Sequence, residues 1–220
     1  VKFFGGDLLG AVAAEFLGAD VAAVPVSANS AVDVHLKKLG IETVKTRIGS
    51  PYVIQAMKDA EKRFPGKVVV SWEANGGFLT GTDIVIGGKV LKALPTRDSL
   101  LPILSALVSA RKNGVSLAKL FDRLPKRFGK AGLIDNFPRE AGREILKRFS
   151  PEGPAGKETV FKELEKFFSK ERGFGNVTDI NTVDGIRIFF SNGDIAHIRP
   201  SGNAPQLRIY SNADTQERAN

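Results

Sequence analysis

Apolar residues in the first 124 positions fall into two alternating patterns, one typical of strands and the other of helices. Short runs rich in Val, Ile and Thr occupy positions 21–26, 41–46 and 67–71, as expected for buried strands. The segments before and after the first run, 8–17 and 30–39, repeat apolar residues every three or four positions, which predicts amphipathic helices. This β-α-β order predicts a layered α/β domain with a mixed, largely parallel sheet.

Further along, polar residues and glycines predict where the elements begin and end. Asp7 is positioned to cap the first helix, and Thr96-Arg97-Asp98 to open a later one. Ile84–Ile86 followed by Gly87-Gly88 predicts a hairpin. The apolar face of the later helix is predicted to include Leu101, Leu104, Ala106, Leu107 and Val108. Pro125 with Lys126 and Arg127 then marks a boundary, so we predict domains at 1–124 and 125–220.

The second segment predicts a small α+β domain with an antiparallel sheet covered by helices on one face. Its Gly- and Pro-rich stretch at 150–156 is expected to be a loop. The helix predicted over 157–170 places its phenylalanines at core spacing, which argues against an aromatic nucleic-acid surface. The remaining elements are an edge-like strand at 126–137, a helix from Pro138 to Phe149, and strands at 177–180, 185–190, 195–198 and 207–212. Asp214 is positioned to cap a final helix of about two turns, so we expect the sequence to be cut there.

The composition excludes several kinds of site and partner. The chain has no cysteine and two histidines, which excludes disulfides, thiolate metal sites and histidine-rich metal sites. His35 lies among apolar residues of a predicted helix, where packing is the expected role. The formal charge of +8 is spread over both segments without a Lys/Arg block, so we expect no nucleic-acid partner; a basic nucleic-acid binder is the weakest alternative. No apolar run approaches the roughly 18 residues of a spanning helix, and we expect no membrane partner.

The most informative polar string is Arg199-Pro200-Ser201-Gly202-Asn203-Ala204-Pro205, followed by Arg208. A guanidinium presents a planar fork that matches two phosphate oxygens. Ser and Asn side chains can donate further hydrogen bonds, and a glycine lets backbone N–H groups approach an anion. A polar turn between two strands is the alternative interpretation of the same residues.

A second polar string, Trp72-Glu73-Ala74-Asn75-Gly76-Gly77, follows the predicted strand at 67–71. An ionised carboxylate can accept from two hydroxyls, and an amide can both donate and accept, which suits a vicinal diol. The segment Arg47–Val53 also follows a strand and opens a helix with Pro51 in its first turn, where ligands collect in parallel sheets. A tight turn is again the alternative for Asn75-Gly76-Gly77.

Taken together and in this order, these strings resemble the α-D-phosphohexomutases, the phosphomannomutase/phosphoglucomutase family. The family's phosphate loop reads Arg-Pro/Ala-Ser-Gly/Asn-Thr-Glu-Pro with a second Arg soon after; here Asn203 replaces Thr and Ala204 replaces Glu. The family's Gly-Glu-x-Ser-Gly-His falls at 72–77, with Gly77 in place of the histidine. Its Thr-x-Val-Gly-x-x-(Tyr/Phe)-Val segment falls at 46–53, and Asp184-Gly185-Ile186-Arg187 resembles its Asp-Gly-Val-Arg.

The resemblance implies the third and fourth domains of such an enzyme, which interconverts hexose 1-phosphate and hexose 6-phosphate through a phosphoserine and a bisphosphate. Mannose, glucose and N-acetylglucosamine phosphates all remain candidate substrates, and a cytoplasmic location is expected. The implied sugar-binding residues are Glu73, Asn75, Gly49 and Ser50. The implied phosphate-binding residues are Arg199, Ser201, Gly202, Asn203 and Arg208.

Two further family strings do not occur in these 220 residues. One is the catalytic Thr-Ala-Ser-His-Asn-Pro, and the other is the Asp-Gly-Asp-x-Asp-Arg that binds Mg²⁺. We therefore expect a fragment with no catalytic or metal-binding residue of its own, inactive alone, whose partner is the N-terminal half of the same enzyme with its Mg²⁺. A non-catalytic sugar-phosphate-binding module is the alternative.

Overall fold

A computed structural model describes residues 3–151, 153–202 and 204–220. The chain separates into two compact units, Val1–Lys126 and Arg127–Asn220, here called the first and second unit. Each unit has its own sheet and its own apolar core. The predicted succession of an α/β fold and an α+β fold is confirmed.

The first unit begins with alternating helices and strands, continues with five consecutive strands and ends in a helical pair. Its strands are β1 (Val21–Pro25), β2 (Glu42–Thr46), β3 (Val69–Trp72), β4 (Phe78–Thr80), β5 (Ile84–Ile86), β6 (Lys89–Leu91) and β7 (Leu94–Asp98). Its helices are α1 (Gly6–Phe16), α2 (Ser30–Lys38), α3 (Ser50–Arg63), α4 (Leu100–Lys112) and α5 (Leu117–Asp122).

A five-stranded mixed sheet organises this unit, in the order β2-β1-β3-β4-β7. The first three strands are parallel, while β4 and β7 join antiparallel. Ala22 and Val24 of β1 belong to the core on the α1 and α2 side, and Val21 and Ala23 to the core on the α3 side. Because alternate side chains of a strand point to opposite faces, the sheet is the middle of three layers. The carboxyl ends of β2 and β3 lead into the polar strings of this unit.

The start of α1 corrects one prediction. Asp7 lies inside the helix, and the N-cap residue is Gly5. The Asp7 carboxylate accepts a hydrogen bond from the Asn29 backbone N–H at 2.9 Å, so it ties α1 to the loop before α2. A carboxylate in the first turn also interacts favourably with the helix dipole, which explains why sequence alone does not separate the two roles.

The predicted apolar face of α4 is wrong in part, since Ala106 is buried and Leu101 packs against the core but the other predicted residues do not. Its buried residues are small or polar, namely Pro102, Ser105, Ala106, Ser109 and Ala110. Leu104, Leu107 and Val108 are exposed, with Leu104 and Leu107 each 47% exposed. Because α4 packs closely against α1, whose own buried face is glycine and alanine rich, small residues fit the contact better than leucines.

The second unit is an antiparallel sheet with two longer helices on one face. Its strands are β8 (Phe128–Asp135), β9 (Val177–Asn181), β10 (Ile186–Phe190), β11 (Ile195–Pro200) and β12 (Gln206–Ala213). Its helices are α6 (Arg139–Phe149), α7 (Gly153–Leu164) and the short α8 (Gln216–Ala219).

The strand order is β8-β12-β11-β10-β9, and every neighbouring pair is antiparallel. Ile186, Ile188 and Phe190 of β10 point into the core formed with α6 and α7. Alternation then places Arg187 on the opposite face, together with its cross-strand partner His197 of β11. Arg199 and Arg208, which are opposed on β11 and β12, lie on this second face as well.

Two local predictions in the second unit are wrong. The stretch at 150–156 is not all loop, because α7 already begins at Gly153. The final helix is capped by Thr215, whose side chain accepts from the Arg218 backbone N–H, and not by Asp214. Asp214 instead pairs with Arg127. The edge position predicted for the strand after Lys126 is confirmed, since β8 lies at the end of its sheet.

Candidate functional site

The polar string after β3 folds into a tight loop closed by its own backbone. The Glu73 N–H donates to the Gly77 carbonyl at 3.1 Å, and the Gly76 N–H donates to the Glu73 carbonyl at 2.9 Å. Asn75 Oδ1 accepts from the Gly77 N–H at 2.9 Å, which leaves the Asn75 amide group as a donor. Gly76 adopts a φ of +91°, which favours glycine. The tight turn and the predicted polar site are therefore the same structure.

The loop before α3 joins this one through a side-chain contact. The Ser50 hydroxyl donates to Glu73 Oε2 at 2.7 Å, although 23 residues separate them. Gly49 has a φ of +130° and turns the chain into the helix. Glu73 is 8% exposed, and its Oε1 makes no hydrogen bond to the described residues. Three of the predicted sugar-binding residues thus form one cluster, with one carboxylate oxygen still able to accept.

Arg97 is a cation beside this cluster that sequence analysis did not select. Its Nη1 lies 4.0 Å from Glu73 Oε2. A Cβ atom on Gly77 would lie 2.8 Å from Arg97 Cδ, so the arginine stem occupies the space beside that glycine. Residue 97 approaches because β7 pairs with β4, where Phe78 lies opposite Asp98. The arginine in Thr96-Arg97-Asp98 was the only sequence signal.

The second polar string connects β11 to β12 in the second unit. The Ser201 N–H donates to the Gln206 carbonyl at 2.8 Å, which closes the loop. Gly202 is exposed, and apart from its chain neighbours no described residue would lie within 4 Å of a Cβ atom there, which leaves room for a ligand beside its backbone. Asn203 lies outside the described residues.

Arg199 and Arg208 lie directly opposite each other on β11 and β12. Directly opposed side chains are on the same face of a sheet, at about 4.5–5.5 Å between Cβ atoms, and like charges there are destabilising. Arg199 Nε donates to Asp184 Oδ1 at 2.9 Å, and both side chains are 17% exposed. Neither Nη group of Arg199 makes a hydrogen bond to the described residues. This pair can satisfy its remaining donors with an anion.

His197, two residues before Arg199, is fully buried and contacts the same acidic residue. Its Nε2 lies 2.6 Å from the Asp184 carbonyl oxygen. Burial lowers the pKa of His197, and the nearby Arg187 and Arg199 lower it further against the opposing effects of the Asp184 carbonyl and carboxylate. Since a carbonyl can only accept, Nε2 carries the proton of the neutral ring.

A cleft of about 220 Å³ lies on the α6 side of the same loop. Ser201 and Gly202 line it together with Arg139 and Arg143, two arginines of the first turns of α6. Sequence analysis did not select these arginines, because a helix that starts 60 residues earlier gives no sign of where it will pack. Their position adds positive charge beside the loop.

The described residues are expected to bind no metal ion themselves, and their acidic and histidine side chains are the ones to consider as ligands. Among the residues that the structure describes, no group of three or more His, Cys, Asp or Glu side chains could hold a metal ion. The described residues therefore do not fit the Mg²⁺ that the family resemblance implies for the complete enzyme. Within the same described ranges, no helix has both the length and the apolarity needed to cross a membrane.

Two family models match the two units. One, "Phosphoglucomutase/phosphomannomutase, alpha/beta/alpha domain III", matches residues 5–128. The other, "Phosphoglucomutase/phosphomannomutase, C-terminal domain", matches residues 142–220. Together they cover both candidate loops.

Curated relatives extend the similarity along almost the whole chain. The phosphomannomutase of Sinorhizobium fredii is 40% identical over 216 residues, which are 97% of this chain and 42% of that protein. The phosphomannomutase of Salmonella muenchen is 36% identical over 214 residues, 97% of this chain and 41% of that protein. The chain therefore spans about two fifths of the length of these relatives.

Solved structures share the fold. The phosphoglucomutase parafusin of Paramecium matches 97% of this chain and 38% of its own with a TM-score of 0.65 at 18% identity. The N-acetylphosphoglucosamine mutase of Aspergillus fumigatus, solved with GlcNAc-6P and magnesium, matches 99% of this chain and 45% of its own with a TM-score of 0.60 at 17% identity. At such identities the likeness concerns the fold alone.

Proposed function

Since this chain belongs to the phosphoglucomutase/phosphomannomutase family, we propose that it supplies the sugar-hydroxyl and phosphate-binding parts of an enzyme that interconverts hexose 1-phosphate and hexose 6-phosphate. The relatives that it matches are more than twice as long. The phosphoserine that transfers phosphate therefore belongs, in this proposal, to the remaining part of a longer protein. By itself the chain is expected to bind sugar phosphates weakly and to turn none over.

One observation carries the phosphate half of the proposal, the opposed pair Arg199 and Arg208. Two cations that face each other across neighbouring strands favour a bound anion, because the anion removes their repulsion. Arg199 is held through Nε, so its two Nη groups can form the bidentate contact with phosphate oxygens. Ser201 and the open backbone at Gly202 can add donors on the same loop.

The sugar half rests on the cluster of Ser50, Glu73 and Asn75. Glu73 keeps one oxygen for a sugar hydroxyl, and the Asn75 amide can donate to a neighbouring hydroxyl oxygen. Sites of this kind discriminate strongly, because an analogue without the hydroxyl leaves a buried group unpaired. Arg97, whose Nη1 lies 4.0 Å from Glu73 Oε2, adds a cation beside this cluster.

In the proposed reaction, a serine phosphate of the longer protein transfers its phosphoryl group to the free hydroxyl of the hexose phosphate, giving a bisphosphate. The sugar then turns over, and its other phosphate returns to the serine. The residues of this chain bind and orient the sugar and the phosphate that is not transferred, in either orientation. Their contribution is positioning and charge stabilisation.

The test is a titration of the 220-residue chain with mannose 1-phosphate, followed by ¹H–¹⁵N NMR. We expect shifts at the amides of residues 199–208 and 73–77. In the complete enzyme, Arg199→Gln should weaken phosphate binding by roughly 2–5 kcal/mol, as for one partner lost from a charge-assisted contact in a desolvated site. In the isolated chain, the same substitution should reduce the shifts at residues 199–208. Lys147→Gln, which removes an exposed charge of α6, is the matched control. Equal affinities for Arg199→Gln and the unaltered chain would refute the phosphate role.

A further inference from the structure

We infer that His197 is a positioning residue of the phosphate site, which fixes Arg199 by holding Asp184. This inference rests on the proposed function. The imidazole Nε2–H contacts the backbone carbonyl of Asp184, while the carboxylate of the same residue accepts from Arg199 Nε. Asp184 is therefore held at two points, and the guanidinium is held through it.

The strand geometry explains why these groups meet. His197 and Arg199 are two residues apart on β11, so their side chains leave the same face of the sheet. The segment that contains Asp184 leads directly into β10, the neighbouring strand. Gly185 brings it close, since a Cβ atom there would lie 2.4 Å from the Ile198 carbonyl oxygen and 3.0 Å from Arg199 Cβ. The turn is thus packed onto β11 between the imidazole and the guanidinium.

The surroundings of the ring favour a neutral imidazole with one fixed tautomer. Arg187 of β10, Arg199 of β11 and Asp184 face it, and the Tyr210 ring of β12 lies 5.4 Å away between centroids. His197 Nδ1 is buried and has no hydrogen-bond partner among the described residues. A second proton on the ring would therefore be buried without an acceptor, beside two guanidinium groups. A neutral donor at Nε2 is what the Asp184 carbonyl needs.

If His197 only filled space, it would not need a hydrogen-bond donor. Two substitutions therefore distinguish a packing role from a positioning role. His197→Leu fills a similar volume with an apolar side chain and removes the hydrogen-bond donor. His197→Gln keeps an N–H donor at a similar reach. We expect His197→Leu to weaken binding of inorganic phosphate on the order of tenfold, as for lost outer-shell support of a ligand-binding group, and His197→Gln to restore most of the affinity.

A double-mutant cycle tests whether His197 acts through Arg199. In the Arg199→Gln background, His197→Leu should not change phosphate affinity further. Equal losses from His197→Leu in both backgrounds would overturn the inference, whereas an unchanged affinity of Arg199→Gln alone would refute the proposed function instead. The two failures are therefore distinguishable.

The His197 tautomer in the unaltered chain supplies a second test, in which His197→Gln serves only to assign the signal. It contains two histidines, so long-range ¹H–¹⁵N spectra show two imidazoles, one of which is absent from His197→Gln. We expect the His197 ring to be the Nε2–H tautomer at pH 7. A ring protonated at Nδ1, or doubly protonated at that pH, would contradict the inference.

Discussion

The two candidate loops present polar groups in different ways. The loop at 73–77 is closed by hydrogen bonds between its own residues, and one outside hydroxyl, that of Ser50, fixes its carboxylate. The loop at 199–205 has an open tip at Gly202, and its arginine is fixed from outside by Asp184 of the neighbouring turn. The first loop is preorganised by its backbone, and the second by side chains that meet across strands.

The two loops also differ in how their charged side chains are balanced. Glu73 already has a cation nearby in Arg97, so the first loop is close to internal charge balance. Arg199 and Arg208 oppose each other, with Asp184 as the carboxylate that contacts Arg199. The second loop should therefore gain more from a bound anion and should depend more on single side chains around it.

The largest expected difference concerns the glycine of each turn. Gly185→Ala adds a Cβ atom 2.4 Å from a backbone oxygen at a φ of +86°, whereas Gly76→Ala at a φ of +91° meets nothing within 4 Å. Strain and clash together should lower the free energy of unfolding of the second unit by roughly 3–5 kcal/mol, and strain alone should lower that of the first by about 1 kcal/mol. Amide hydrogen exchange in β10 and β11, and fluorescence of the buried Trp72, report the two units separately. Equal losses would contradict the packing of the Asp184-Gly185 turn.

The next largest difference in stability is expected between substitutions of the residues that fix the two charged groups. Asp184→Asn removes the charge that holds Arg199, and Ser50→Ala removes the hydroxyl that holds Glu73. We expect Asp184→Asn to destabilise its unit by roughly 1.5–3 kcal/mol, and Ser50→Ala by about 1 kcal/mol, because the latter leaves a carboxylate that Arg97 still faces. Urea unfolding with the same two reporters measures both. A larger loss for Ser50→Ala would reverse the comparison.

The smallest expected effect is a dependence of stability on pH, which begins at a different pH in each unit. Burial lowers the pKa of His197, so the unfolded second unit binds more protons, and its stability should fall as pH drops below about 6.5 towards the folded pKa. In the first unit, the Val68 N–H and Lys67 lower the pKa of Asp20, so that stabilisation is present above about 3.9 and is lost as pH falls through the folded pKa. In His197→Leu the dependence of the second unit near pH 6 should disappear. Its persistence would assign it to another group.

Several elements could be predicted from the residues within them. The β-branched runs indicated β1, β2 and β3. β1 and β3 are buried along their length, as expected for inner strands with apolar residues on both faces, whereas β2 lies at the sheet edge and is partly exposed. The polar strings at 72–77 and 199–205 marked both loops, since glycine and proline stop regular structure there. The same periodicity misled for α4, because a helix has an apolar stripe whether or not that stripe is the one that packs.

Contacts between distant residues were decided by the tertiary structure. Glu73 meets Ser50 and Arg97 because parallel strands and the β4–β7 pairing bring three separate segments to one edge of the sheet. Asp184 meets both His197 and Arg199 because Gly185 lets its turn lie on β11. Sequence by itself determined the order of elements and the chemical character of each loop, which depend on neighbouring residues. Which side chain faces which partner depends on strand register and helix packing, and those are properties of the folded chain alone.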